Sequence, residues 1–201
     1  MRFIYTIALC SLATSLNAQQ AAPQKPRPHA AASTRATTTV QLDGRWVGGA
    51  WFPNALPLAE PAKISIDYGQ PHLRGRTLEG SKLLSSPSDT IWRMGANVAT
   101  HLQTDVDIEL GGVKISKGFY TLYLRTGDSP SLIVNRETGQ WGTVYSSAND
   151  VARIPLTVHT LAQPMDAFTI WLVPVGAGAE GNFRMAWGKS EWTTTWKVVV
   201  P

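Results

Sequence analysis

Thr100-His-Leu-Gln-Thr-Asp-Val-Asp-Ile-Glu-Leu110, followed by Gly111-Gly112 and Val113-Lys-Ile-Ser116, is the stretch that decides the fold. Leu102, Val106, Ile108 and Leu110 point one way, and His101, Gln103, Asp105, Asp107 and Glu109 the other. That period of two is the mark of a half-buried strand. Gly111-Gly112 supplies the positive φ angles of a two-residue hairpin turn. The register it sets puts Leu110 opposite Val113 and Ile108 opposite Ile115 on the apolar face. Glu109 then stands opposite Lys114 on the wet face.

Outward from this hairpin the same alternation predicts strands at Lys63 to Tyr68, Phe119 to Arg125, Ser131 to Asn135 and Val151 to His159. Three more follow at Phe168 to Val173, Asn182 to Trp187 and Trp192 to Val199. Ser129-Pro130 and Glu137-Thr-Gly-Gln140 read as turns. After the first residues no window of helical period is long enough for a helix. The expectation is all-β: a single antiparallel β-sandwich or jelly-roll-like domain over residues 40–201.

Ahead of it, residues 1–18 read as a signal peptide. Arg2 is followed by an apolar run from Phe3 to Leu12 and by small or polar residues up to Ala18. Residues 19–39, rich in Ala, Pro, Gln and Thr, read as a disordered tether, because few large apolar side chains are there to offset ordering. The expected location is periplasmic or extracellular. Neither the signal run nor any later stretch reaches the roughly 20 apolar residues of a membrane span. The one cysteine, Cys10, lies in the signal segment, so thiol catalysis is excluded after cleavage.

The chain has formal charge +4, but the excess is local. Arg2, Lys25, Arg27 and Arg35 are four of the 18 basic residues, and all 14 acidic residues come later. The remainder is formally neutral, so the basic balance does not point to nucleic acid.

Four segments resemble the domain-of-unknown-function 2911 family of bacterial secreted proteins. They are Ile66-Asp-Tyr-Gly-Gln-Pro71 running into Arg74-Gly-Arg76; Trp92-Arg-Met-Gly-Ala-Asn-Val-Ala-Thr100; Gly118-Phe-Tyr-Thr-Leu122; and Asn135 with Trp141-Gly142 and Asp150-Val-Ala-Arg153. The resemblance runs from about Ile64 to Trp187 and implies an exported all-β domain, with no reaction to carry over. Val98 stands where the family pattern usually has Glu, so no role for an acid transfers there.

The polar residues of those segments form the candidate ligand-binding set: Arg74, Arg76, Arg93 and Asn97, with Trp141. Arginine presents a planar fork of donors to anionic or polar groups and stacks on indoles, as Arg93 would on Trp92 or Trp141. The competing reading has Arg76 and Arg93 satisfied by Asp67, Asp89 or backbone carbonyls, with Asn97 holding a turn. Eight tryptophans suggest sugar stacking, yet Trp92, Trp171, Trp187, Trp192 and Trp196 suit a core.

Metal and cofactor motifs are missing from the sequence. His101 and Asp105 stand about 13 Å apart on a strand, too far to share an ion. Gly176-Ala-Gly-Ala-Glu-Gly181 precedes a strand rather than a helix, so it is a loop and not a phosphate cradle. Neither a serine-hydrolase elbow nor a zinc-protease helix motif occurs.

The leading functional expectation is non-catalytic binding of a small polar molecule or envelope glycan. One alternative is a hydrolytic enzyme using His101 or His72 as base, with arginine stabilising an anion. The other is a protein–protein adaptor with an exposed apolar patch at Trp46, Trp51 and Phe52.

Overall fold

In a computed structural model of the protein, residues 29–53, 61–78 and 90–199 are described. The expected signal peptide, residues 19–28 of the expected tether and Asp89 lie outside them. Among the described residues thirteen strands run in chain order: β1 (Ser33–Gln41), β2 (Gly44–Val47), β3 (Ala50–Pro53), β4 (Lys63–Pro71), β5 (Ile91–Trp92), β6 (Thr100–Thr104) and β7 (Ile108–Leu110). Then come β8 (Val113–Ile115), β9 (Gly118–Arg125), β10 (Ser131–Asn135), β11 (Asp150–Pro155), β12 (Thr157–Pro174) and β13 (Glu180–Val198). The larger sheet has the order β1-β4-β6-β9-β10-β11, with β5 also paired to β9, and the smaller has β12-β13-β7-β8. β2 and β3 make a separate hairpin. Every pairing is antiparallel.

The two sheets bury their facing sides against one another, which makes the fold an all-β sandwich. Ile64, Ile66, Leu102, Leu122, Leu124 and Val134 come from the larger sheet. Ile108, Ile115, Phe168, Ile170, Phe183, Met185 and Trp196 come from the smaller. Trp92 of β5 crosses the interior to stack on Trp187, with 5.5 Å between ring centroids, and meets Phe168 edge to face at 4.8 Å. The Ile170 amide donates to the Tyr68 hydroxyl at 3.0 Å, and the Gln70 amide group donates to the Phe168 carbonyl at 3.1 Å. These bonds tie the end of β4 to β12.

The hairpin register follows the sequence reading: Leu110 pairs with Val113, Glu109 with Lys114 and Ile108 with Ile115. The ion pairs go elsewhere, Lys114 to Asp107 at 3.1 Å and Glu109 to Lys197 at 3.0 Å. Thr100 to Leu110 is two strands, not one. β6 belongs to the larger sheet and β7 to the smaller, and the chain crosses between them at Asp105–Asp107. The Thr104 hydroxyl donates to the Val106 carbonyl at 2.6 Å and holds that crossing. Val151 to His159 likewise divides at buried Leu156, where the chain leaves one sheet for the other.

The last three expected strands merge into the long β12 and β13, joined through the 176–181 glycine loop. The ordered domain begins earlier than residue 40. β1 pairs with β4 from Ser33 to Gln41, so its backbone ladder and half-buried Ala36 and Thr38 supply what the composition alone did not show. Arg35 is therefore a strand residue, and it pairs with Asp67. From Ala31 onward the chain forms one compact unit. Among the described residues no helix is long and apolar enough to cross a membrane.

Candidate functional site

Alternation along the larger sheet turns one residue of each strand away from the core, and the registers align these residues into a row. Thr37 pairs with Asp67, Asp67 with His101, His101 with Thr121, Thr121 with Asn135, and Asn135 with Asp150. Their inward neighbours Ile66, Leu102, Leu122 and Val134 are all in the core. A polar row laid across five neighbouring strands and the sixth at the edge is thus fixed by the apolar pattern beneath it.

One end of the row is paired in the open: Asp67 accepts from Arg35 and, at 2.9 Å, from the Thr37 hydroxyl. Toward the other end the row is covered. Thr121 and Asn135 are fully buried, although both are polar. Their partners come from the segment that follows β10. Thr121 Oγ1 donates to the Glu137 carbonyl at 2.6 Å, and Gln140 Nε2 donates to Thr121 Oγ1 at 3.2 Å and to the Tyr123 hydroxyl at 3.0 Å. Asn135 Nδ2 donates to the Ser146 carbonyl and to Asp150 Oδ1, both at 2.9 Å. Tyr145 and Arg153 both donate to Asp150 Oδ2. Burial pushes the Tyr123 and Tyr145 hydroxyls above their ordinary pKa, so both act as donors at neutral pH.

Among the described residues, Arg93 Nε, His101 Nε2 and Gln140 Oε1 are buried with no hydrogen-bond partner. A buried donor or acceptor left unpaired costs about 1–3 kcal/mol, so each of the three calls for an explanation. Burial is the main influence on His101 and lowers its pKa, opposed by the Asp67 carboxylate and aided by Arg35. The ring is neutral at pH 7, beside Phe119 at 5.9 Å between centroids.

Three of the five sequence-nominated residues gather here. Arg93 lies against Gly142, where an added Cβ would stand 2.3 Å from Arg93 Cδ. The Asn97 carbonyl accepts from the Gly142 amide at 3.3 Å, and Val98 bridges to Trp141. Asn97 takes a left-handed φ of 65°, which suits its short polar side chain. Trp141 is 56% exposed. Two backbone contacts seat the whole turn: the Ala96 amide donates to the Gly69 carbonyl, and a Cβ on Gly69 would stand 1.9 Å from the Ala96 oxygen.

Arg74 and Arg76 sit apart from that group, after β4. Arg76 donates to the Leu73 and His72 carbonyls at 2.9 and 2.8 Å. The Arg74 amide donates to Asp166 Oδ1 at 2.9 Å, and its guanidinium donates to the Ala31 carbonyl. Nearby, His72 Nδ1 is 3.5 Å from Asp166 Oδ2, and His72 Nε2 is 3.0 Å from Thr34 Oγ1. Arg93 does not stack on Trp92, which stacks on Trp187 and meets Phe168 edge to face. The one cation–π pair among the described residues is Arg184 over Trp171, at 5.6 Å.

Sequence reading missed Gln140, Thr121 and Tyr123: the last two share a face of β9, and the segment after β10 folds Gln140 back onto them. Among the described residues no group of three His, Cys, Asp or Glu side chains is placed to hold a metal ion. A family model described as a protein of unknown function, DUF2911, matches residues 57–195, which contain the polar row from Asp67 onward and all five nominated residues. No curated protein and no solved structure matches the chain.

Proposed function

We propose, from the premise that this chain belongs to the DUF2911 family of proteins of unknown function, that it binds a small polyhydroxylated ligand, a sugar or glycan end, at Trp141, Arg93, Gln140 and His101. The observation that carries the reading is three buried, unpartnered polar atoms, two of them on residues that adjoin or touch the neighbours of a tryptophan left 56% exposed. An open indole face stacks on the C–H face of a sugar ring. A donor (Arg93 Nε), an acceptor (Gln140 Oε1) and an imidazole nitrogen suit vicinal hydroxyls, and pairing them removes the cost of leaving them bare. Reaching these atoms requires the 137–145 segment to move outward, and Trp141 rides on that segment. Arg74 and Arg76, committed to backbone oxygens, shape the neighbouring turn and take no part in binding. The same reading places the protein outside the cytoplasm, supported by the residue succession of the first 18 positions.

Calorimetry against a panel of neutral and acidic mono- and oligosaccharides tests this directly. Saturable binding that Trp141→Ala abolishes, with the fold intact, supports it. A panel without a single saturable ligand at millimolar concentration sinks it.

A second reading, a hydrolase, is favoured by the line Thr34 Oγ1, His72 Nε2, His72 Nδ1, Asp166 Oδ2. It orders a hydroxyl, a base and an orienting carboxylate as acyl-transfer enzymes do. It ranks second because the Thr34 hydroxyl is also placed to donate to Gln70 Oε1 at 2.9 Å, and because Asp166 is 62% exposed. Ester hydrolysis that disappears in both Thr34→Val and His72→Ala would reverse the order.

A further inference from the structure

The β2–β3 hairpin sets Trp46 directly opposite Trp51. Their rings meet edge to face, 5.6 Å between centroids and 66° between planes. Both pack on the core from one side and stay partly open to solvent on the other. The pair is anchored: the Leu42 amide donates to the Ala62 carbonyl and the Ala62 amide to the Gly44 carbonyl, each at 2.8 Å. The Trp51 ring also lies over Gly44, where a Cβ would stand 2.8 Å from Cε2. Together with Leu42, Ala179 and Val198, the two indoles wall a cleft of about 250 Å³. Among the described residues its one charged lining residue is Asp43. That carboxylate is exposed and has neither an ion pair nor a hydrogen bond among the described residues.

Both partly open indoles wall the cleft, and their electron-rich π surface attracts a cation held against it. An apolar lining discriminates against a strongly hydrated ammonium such as that of lysine, because its water would be stripped without replacement. A quaternary ammonium holds its water weakly and presents methyl groups, so it gains from the lining and the charge at once. The free carboxylate supplies the counter-charge. The cleft lies just below the usual range of drug-sized pockets, about 300–1,000 Å³, which suits a compact cation.

The geometry points to a quaternary-ammonium site at Trp46, Trp51 and Asp43, one that takes a choline-like trimethylammonium group. It shares no residue with the Trp141 site and does not depend on that reading. The same headgroup chemistry is carried by free choline and by choline lipids.

The test is titration of the full chain with choline chloride, followed by tryptophan fluorescence and calorimetry, beside the neutral tert-butyl isostere in which carbon replaces the nitrogen. Choline should bind saturably and the isostere about tenfold or more weaker, as expected for a desolvated cation–π contact. Asp43→Asn, at an exposed position that leaves packing untouched, should weaken choline severalfold, and Trp51→Ala should abolish binding. Phosphatidylcholine vesicles, compared with phosphatidylglycerol vesicles, separate the sources: selective co-sedimentation assigns the site to a lipid headgroup, and choline binding without it assigns the site to a free cation. Equal affinity for choline and its isostere, or no saturable choline binding at millimolar concentration, overturns the proposal.

Discussion

Arg93 rests on Gly142 at a distance that leaves no room for a side chain: a Cβ there would lie 2.3 Å from Arg93 Cδ and 2.9 Å from the Asn97 carbonyl oxygen. Two segments far apart in sequence are thereby held face to face, with Trp141 displayed at their junction. Gly142→Ala should push Arg93 aside and destabilise the fold by about 1–3 kcal/mol, the usual range for overpacking. Removing the Arg93 side chain relieves the closest contact. In an Arg93→Ala background the same glycine change should therefore cost clearly less. A double-mutant cycle by urea denaturation measures that coupling, and additive costs would mean that the two residues are not in contact.

Thr100 ties the site turn to the sheet. Its hydroxyl donates to the Met94 carbonyl at 2.7 Å, and both residues are fully buried. Thr100→Val keeps the shape but leaves that carbonyl bare, so a loss of about 1–3 kcal/mol is expected. Denaturant midpoints check it, and faster amide exchange at residues 94–97 should accompany the loss.

His101 gives the fold an acid-sensitive step. Its pKa in the folded protein is lowered from 6.5, chiefly by burial. Below that value the unfolded chain takes up a proton that the native ring resists, so unfolding gains protons. The stability contribution is complete above pH 6.5 and is lost as the pH falls through the depressed folded value. Thermal unfolding at pH 7 and pH 5 should show lower stability at pH 5. His101→Leu should flatten that drop, and an unchanged drop would assign the acid sensitivity to another group.

Trp187 links the sheets. It stacks on Trp92 with 13° between ring planes, and its indole N–H donates to the Asp166 carbonyl at 3.1 Å. Trp187→Ala should cost about 3–5 kcal/mol, as other large aromatic truncations in cores do. A shift of less than about 1 kcal/mol in chemical denaturation would show that the interior repacks around the gap.

The hairpin at Gly111-Gly112 was legible because turn chemistry, alternation and register all depend on neighbours in sequence. The crossings at Asp105–Asp107 and at Leu156 were not. Val106 and Leu156 are buried in the same core that both sheets share, so the apolar alternation runs on unbroken while the hydrogen-bonding partner changes. Period reports burial, not partner. β1 was hidden for a different reason: its Thr and Ala side chains bury little, and its pairing with β4 is a matter of backbone.

In the site, Asn97 was readable as a turn residue, and Trp141 and Arg93 as members of family-like segments. Thr121 stood in a family-like segment and Gln140 in a turn, but nothing in either segment pointed to their meeting. They meet because β9 and β10 pair in one register and the following segment folds back over them.

The most direct measurement is the affinity of wild type and Arg93→Ala for the tightest saccharide of the panel, by calorimetry under identical buffer. A loss of at least about 1 kcal/mol, roughly fivefold or more in Kd, is expected with the fold retained. Equal affinity in the two proteins would contradict it, and would remove Arg93 from the binding site.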